Sequence, residues 1–366
     1  MLQRPGMMLR DQHDRINTRS LRHRRISAYQ QQVISLVITS FEAILLRRSK
    51  SFFMTSVTPC ARPAAISDAA AGVQPLPAVE ENATNDRQRR DEVCLVMAVN
   101  DGGVPPILTQ KHYAQPSAFT PENLLREARR QKRTTGSSIP EICVLDPDGD
   151  IVRSLLARGE ARLEPGWACY HTQLYSFGRG GIEFGIVGCA VGASYAVLIA
   201  EEMFVSGCKL LLSVTSSGQI VPVRPPPYFI IIERALRDEG TSYHYMAPSD
   251  YSDADAGLIA ALDGAFGEFP VPVFAGATWT TDAPFRETQP AIDAMRRRNL
   301  MAVEMEAAAL YAFAQARQKP VLCFAHVTNQ MGRIDGDFEK GEADGSHDAL
   351  QLIAIAGDRL RSRLLP

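Results

Sequence analysis

The sequence predicts an α/β fold, a single domain with a mixed, mostly parallel central sheet flanked by helices. Three observations carry this expectation. From residue 139 onward, short apolar runs of strand length recur, bounded by Gly, Pro, Asp and Ser. Segments rich in helix formers follow most of them. The runs are apolar on consecutive rather than alternating residues, as in strands covered on both faces.

Taken in order, residues 121–132 open with helix-start chemistry: Thr120 as N-cap, Pro121 at the first helical position, Glu122 in the first turn. Leu124, Leu125 and Ala128 mark the apolar side. Arg126, Arg129, Arg130, Lys132 and Arg133 read as a solvated basic face, with a phosphate-recruiting patch as the lesser alternative. Residues 141–145 form a strand, followed by the turn Asp146-Pro147-Asp148-Gly149-Asp150 and a helix through Leu156. Residues 183–189 form the next strand, 190–193 a small-residue turn, and 194–205 a helix closed by Gly207. Residues 209–214 read as a buried strand that ends in a turn at Thr215-Ser216-Ser217-Gly218. Strands are expected at 228–232, 271–279 and 321–327, and helices at 253–266, 287–298 and 343–364. Between them, Ala302-Val303 is a strand end running into an Ala-rich helix that begins near Met305.

The chain has 366 residues, 45% hydrophobic and 22% charged, with net charge −2. That balance speaks against nucleic acid as a partner. The seven cysteines are widely spaced, without a C-x-x-C pair or a Cys/His cluster that would hold zinc. Cys189 and Cys323 lie in apolar runs and read as core thiols, and the setting reads as reduced and cytoplasmic. Neither a metal nor an organic cofactor is implied. Residues 1–116 are read as a basic leader and flexible tail, and residues 117–366 as the catalytic domain. The first fifty residues hold ten Lys/Arg against three acids, and the apolar part at 33–46 is too short for a membrane span. Residues 1–53 are expected to lie outside the working protein, with Met54 as its start. Residues 63–91 have no hydrophobic period and read as linker.

Two carboxylates, Glu304 and Glu306, stand where the strand end meets the Ala-rich helix. Their spacing allows two readings: charges complementing the positive end of the helix dipole, or groups lining a pocket at the carboxyl end of a strand.

Val303-Glu304-Met305-Glu306-Ala307 resembles the signature of the purine and uridine phosphorylase superfamily, which also includes nucleoside hydrolases. The resemblance spans residues 142–329 in order. Asp146-Pro147-Asp148 is similar to the first strand-loop, 188–202 to the glycine-containing turn and helix, Thr215–Gly218 to a phosphate-side turn, and 240–248 to a central strand region. Thr281-Asp282 precedes the base-binding loop.

The resemblance implies cleavage of a nucleoside's N-glycosidic bond by phosphate, giving a free base and (deoxy)ribose 1-phosphate, with phosphate as co-substrate. It implies that Glu306 is catalytic, gripping ribose hydroxyls, that Met305 packs on the sugar, and that Glu304 is a secondary ribose or structural contact. It places Thr215, Ser216, Ser217 and Gly218 on the phosphate or nucleophile side. Phe285, Arg286 and Asn329 fall at the base, and His112 at the ribose of a neighbouring subunit in a homodimer or larger homo-oligomer. His244 and His326 read as core histidines.

Two departures follow from the same comparison. Uridine-cleaving relatives carry a glycine and an arginine in the first loop and another arginine before the Thr/Ser turn; here Leu145, Gly149 and Ser213 stand at those positions. His171 or Arg153 is a candidate replacement. Purine-specific relatives carry an Asp where this chain has Asn329, which tilts the expectation towards a uridine-like substrate. A nucleosidase using water and a non-catalytic nucleoside-binding protein remain the alternatives.

Overall fold

The computed structural model describes residues 103–134, 138–331, 337 and 340–362. The expectations for residues 1–102, including a start at Met54, lie outside these. Described residues upstream of Ser117 already contact the domain: the Tyr113 hydroxyl donates to the Tyr243 carbonyl at 3.3 Å.

The elements are α1 (Pro121–Lys132), β1 (Ile142–Asp146), α2 (Asp150–Arg158), β2 (Ala161–Leu163), β3 (Tyr175–Arg179), β4 (Ile182–Gly188), α3 (Ala193–Val205), β5 (Leu210–Gln219) and β6 (Tyr228–Asp238). They continue with β7 (Tyr251–Asp253), α4 (Ala256–Ala261), β8 (Val273–Thr281), α5 (Gln289–Arg297), β9 (Ala302–Glu304), α6 (Ala307–Arg317), β10 (Val321–Asn329) and α7 (Ser346–Arg361). The Thr120 hydroxyl caps α1 by accepting from the Asn123 N–H at 3.3 Å.

The sheet is mixed, as expected. Its centre is parallel, with β4, β1, β5 and β10 side by side. Antiparallel pairings carry β3 and β2 at one edge. At the other end the sheet closes: β10 pairs antiparallel with β6, β6 parallel with β8, β8 with β9, and β9 antiparallel with β5. This ring brings the carboxyl ends of β5, β8 and β9 together.

The central strands are buried on both faces because each face has its own helical cover. Along β1, Ile142 and Val144 pack with Ile151, Leu155 and Leu352 of α2 and α7. The intervening Cys143 and Leu145 pack with Val197 and Ala200 of α3 and with Leu310 of α6. Period-2 geometry sends alternate side chains to opposite faces, so a strand clad on both sides is apolar throughout. In α6, every residue from Ala307 to Phe313 is buried. A helix apolar all round must be enclosed, and its alanines allow close approach to the sheet. Tyr311 is its one polar side chain in that span. Its hydroxyl donates to the Ile232 carbonyl at 2.5 Å and accepts from the Cys323 N–H at 3.0 Å.

Four expectations are corrected. Thr215–Gly218 is not a turn but the continuation of β5, held straight by pairing with β10 on one side and β9 on the other. The segment 240–248 is not a strand: it contains the short 3-10 turn Ser242–His244, with the Glu239 carboxylate accepting the N–H groups of Thr241 and Ser242. His244 is therefore exposed, beside Lys111 at 3.0 Å. Cys189 is an exposed thiol with φ of 61°, whereas Cys323 is buried as expected.

Candidate active site

The carboxyl end of the sheet collects the sequence's candidate carboxylates. β9 ends at Glu304, and Glu306 is the N-cap of α6. The two side chains turn opposite ways and do different things.

Glu304 is 3% exposed and has every acceptor position engaged. One oxygen takes the Glu306 and Ala307 N–H groups, both at 2.7 Å. The other takes the hydroxyls of Thr278 at 3.1 Å and Thr280 at 2.5 Å. Thr280 in turn accepts the Ala308 N–H at 3.0 Å. These bonds satisfy the amide donors that the first turn of a helix leaves open. Glu304, expected as a secondary ribose or structural contact, is thus committed to the start of α6.

Glu306 is 1% exposed and spans two other elements. One carboxylate oxygen accepts the Gly192 N–H at 2.7 Å, from the turn into α3. The other accepts the Thr215 hydroxyl at 3.0 Å, from β5. Gly192 has φ of 92° and ψ of 148°, a backbone conformation open essentially to glycine alone. Each oxygen keeps a lone pair for a ligand hydroxyl.

Burial pushes both acids up, and the Glu304 carboxylate raises Glu306 further. Four donors favour the charged form of Glu304, and two that of Glu306. The anion therefore resides on Glu304, and the proton on Glu306, whose pKa is pushed up to about 8 by burial, Glu304 and Asp148.

The expected nucleophile side lies beside Glu306. Ser217 is buried, its hydroxyl directed to the Thr215 carbonyl at 3.4 Å. A Cβ on Gly218 would sit 3.0 Å from Met331 Cγ and 3.2 Å from Val303 Cγ1, so a larger residue would press on those two side chains. The Ser216 N–H donates to Asp148 Oδ2 at 3.2 Å.

The two positions where the resemblance leads one to expect arginine hold Gly149 and Ser213. Gly149 has φ of 76°, and a Cβ there would lie 2.6 Å from Cys189 Sγ. Ser213 is buried inside β5. Asp146 is also buried. It accepts the N–H groups of Gly149 at 3.1 Å and Val152 at 2.9 Å, and burial lifts its pKa to about 7. Lys340 reaches Asp148 at 3.1 Å and Asp150 at 2.6 Å from the far end of the sequence. Arg153 is exposed and pairs with Asp150. With His171 and Lys132 it lines a separate cavity of about 650 Å³ beside Gly149 and Cys189.

On the base side, Asn329 is 7% exposed. Its carbonyl oxygen accepts the Met331 N–H at 2.9 Å, and its amide donates to Thr328 Oγ1 at 3.3 Å. Met305 is half-buried between the two carboxylates. Two other expected members, Phe285 and Arg286, are not gathered in. Phe285, expected to stack on a base, is 100% exposed on the 3-10 turn Pro284–Arg286. Arg286 and His112 are exposed too. Among the described residues, no hydrogen bond or ion pair joins Phe285 or Arg286 to Glu306; His112 was expected at a neighbouring subunit's site. Glu287, next to Arg286, is half-buried and raised by that burial to about 7.

Sequence reasoning missed Gly192, Lys340 and the seating of Asp148 on Ser216. Only Gly192 had a signal, in the small-residue turn before α3. Among the described residues, no group of three or more His, Cys, Asp or Glu is placed to hold a metal ion. No helix there is long and apolar enough to cross a membrane.

Comparison with known proteins gives the arrangement its context. The family model described as "Phosphorylase superfamily" matches residues 142–356. A guanosine phosphorylase of Halorubrum lacusprofundi is 26% identical over 180 residues, covering 49% of this chain and 72% of that protein. A uridine phosphorylase of Thermococcus kodakarensis is 27% identical over 202 residues, covering 50% and 70%. Among solved structures, a uridine phosphorylase of Vibrio fischeri superposes with a TM-score of 0.52 at 17% identity, covering 62% of this chain and 93% of that one. That last likeness concerns the fold.

Proposed function

Because the chain belongs to the phosphorylase superfamily, we propose that it cleaves the N-glycosidic bond of a nucleoside with phosphate as acceptor. The products are a free base and (deoxy)ribose 1-phosphate. The observation that carries this reading is Glu306, a buried carboxyl held between Gly192 and Thr215 at the carboxyl end of the sheet.

As the C1′–N bond breaks, its electron pair leaves on the base and positive charge grows on the sugar ring. When substrate binding releases the Glu306 proton to solvent, the resulting carboxylate accepts ribose hydroxyls more strongly as that charge develops. The interaction therefore strengthens towards the transition state, which is what raises a rate. A phosphate oxygen then bonds to C1′ from the side of Thr215 and Ser216. Glu304 acts as a positioning residue: it anchors the first turn of α6 and keeps the proton on Glu306. Asn329 supports a uridine-like substrate, since an amide hydrogen-bonds a base carbonyl but delivers no proton at neutral pH.

Water as nucleophile is the second reading, and one observation favours it. Asp148 places a carboxylate on the Ser216 N–H, where a dianion would have to bind, and among the described residues no arginine bonds to that carboxylate. Incubation with a nucleoside panel, with and without phosphate, tests the choice through the sugar product. Ribose 1-phosphate formed only with phosphate supports phosphorolysis, while base release that ignores phosphate removes it.

A further inference from the structure

The first loop and the chain after β10 meet over the nucleophile side, at a cavity of about 20 Å³. Its lining includes Asp146, Asp148, Thr215, Ser216, His326 and Lys340. A water-sized group needs roughly 10–15 Å³ of such space, so the cavity accepts one oxygen atom beyond those present. A whole phosphate fits only if something leaves.

Two donors converge on one atom there: the Ser216 N–H at 3.2 Å and Lys340 Nζ at 3.1 Å both reach Asp148 Oδ2. A third polar group shares the cavity. His326 is 5% exposed, and its Nε2 is buried without a hydrogen-bond partner. The ring stacks on Phe229 with centroids 4.2 Å apart, which fixes its plane. Burial pushes the imidazole down to about 4, so it is neutral at pH 7 and offers one N–H without added charge. A backbone amide and an ammonium on one anionic oxygen, with an unpartnered imidazole lining the same cavity, form an oxyanion site. The carboxylate of Asp148 is the anion that fills it.

We propose that this is the phosphate subsite, with Lys340 as its cation and Asp148 as an internal anion that incoming phosphate displaces. The inference rests on the phosphorolytic reading. Asp148 can leave, because its side chain is 32% exposed, whereas Asp150 at 14% stays paired with Lys340. The charge that relatives draw from arginines near β1 and β5 comes here from the end of the sequence. That is consistent with Gly149, whose φ of 76° disfavours any side chain.

Internal competition makes a prediction of unusual sign: removing an acidic residue improves anion binding. Asp148→Asn keeps a carbonyl for the Ser216 N–H but no longer competes as a charge. In calorimetric titration of the full chain with inorganic phosphate, Asp148→Asn should bind about tenfold tighter than the unaltered protein, and Lys340→Gln about tenfold weaker. Circular dichroism establishes that both variants are folded. Equal or weaker binding by Asp148→Asn, or equal binding by Lys340→Gln, overturns the inference, as does an unaltered chain that binds no phosphate. The underlying reading has its own test. Free ribose made without phosphate ends phosphorolysis, whereas ribose 1-phosphate made by a chain whose variants all bind phosphate alike ends only this inference.

Discussion

Glu306→Gln separates catalysis from stability, because the structure predicts opposite effects on the two. The glutamine is nearly isosteric. Its carbonyl accepts the Gly192 N–H, and its amide donates to the Thr215 hydroxyl, so no buried polar atom is orphaned. What disappears is the ability to become an anion facing a cationic sugar. Hydrogen bonds to charged groups are worth about 1.5–3 kcal/mol each, and two ribose hydroxyls at stake imply about 3–6 kcal/mol. That corresponds to a fall in kcat of roughly 10²–10⁴.

Stability should move the other way. The folded-state pKa of Glu306 is raised from 4.5 to about 8. The folded chain therefore holds a proton that the unfolded chain has released, and stability falls as pH rises from about 4.5 to about 8. At about 1.4 kcal/mol per pH unit, the cost near pH 7.5 is on the order of a few kcal/mol. Urea unfolding of both proteins at pH 5 and pH 7.5 measures this, alongside initial rates of base release. Glu306→Gln should unfold at higher urea than the parent at pH 7.5, with the gap narrowing at pH 5. A variant that is less stable at pH 7.5, or that retains near-normal kcat, refutes the reasoning.

Three further outcomes follow from the same contacts. Glu304→Gln leaves one amide N–H₂ facing donors that need an acceptor. It should lower unfolding free energy by about 1–3 kcal/mol, read as a lower urea midpoint. Gly192→Ala forces a side chain into φ of 92°; strain of about 1–3 kcal/mol should shift its N–H from Glu306 and cut kcat at least tenfold, with thermal melting reporting the strain. Tyr311→Phe strips both the Cys323 N–H and the Ile232 carbonyl of a partner. A loss of about 2–5 kcal/mol should appear in denaturant unfolding, and an unchanged midpoint would contradict the assignment.

The central strands were legible because burial on both faces leaves consecutive apolar residues, as in β1, β5 and β10. Three short strands were not. Ala161–Leu163, Tyr175–Arg179 and Tyr251–Asp253 pair at the edges or margin of the sheet, where one face is open and the composition is mixed. Thr215–Gly218 misled for a different reason: Ser and Gly favour turns locally, but pairing with two neighbours holds this stretch extended.

The site shows the same division. The segment around Glu306 announced itself by its motif, and its bonds to Gly192 and Thr215 set it apart from Glu304, which binds the start of α6. Lys340 could not have been read from sequence, because its partner Asp148 lies 192 residues away. Phe285 shows the converse: a residue type suited to stacking on a base, placed by its turn where it meets solvent.

The identity of the nucleophile is the central claim, and isotope labelling tests it directly. The measurement is mass spectrometry of the sugar product after turnover of uridine in ¹⁸O-labelled water with unlabelled phosphate present. The account predicts ribose 1-phosphate free of the heavy isotope. Ribose carrying ¹⁸O at C1 in the first turnover would contradict it.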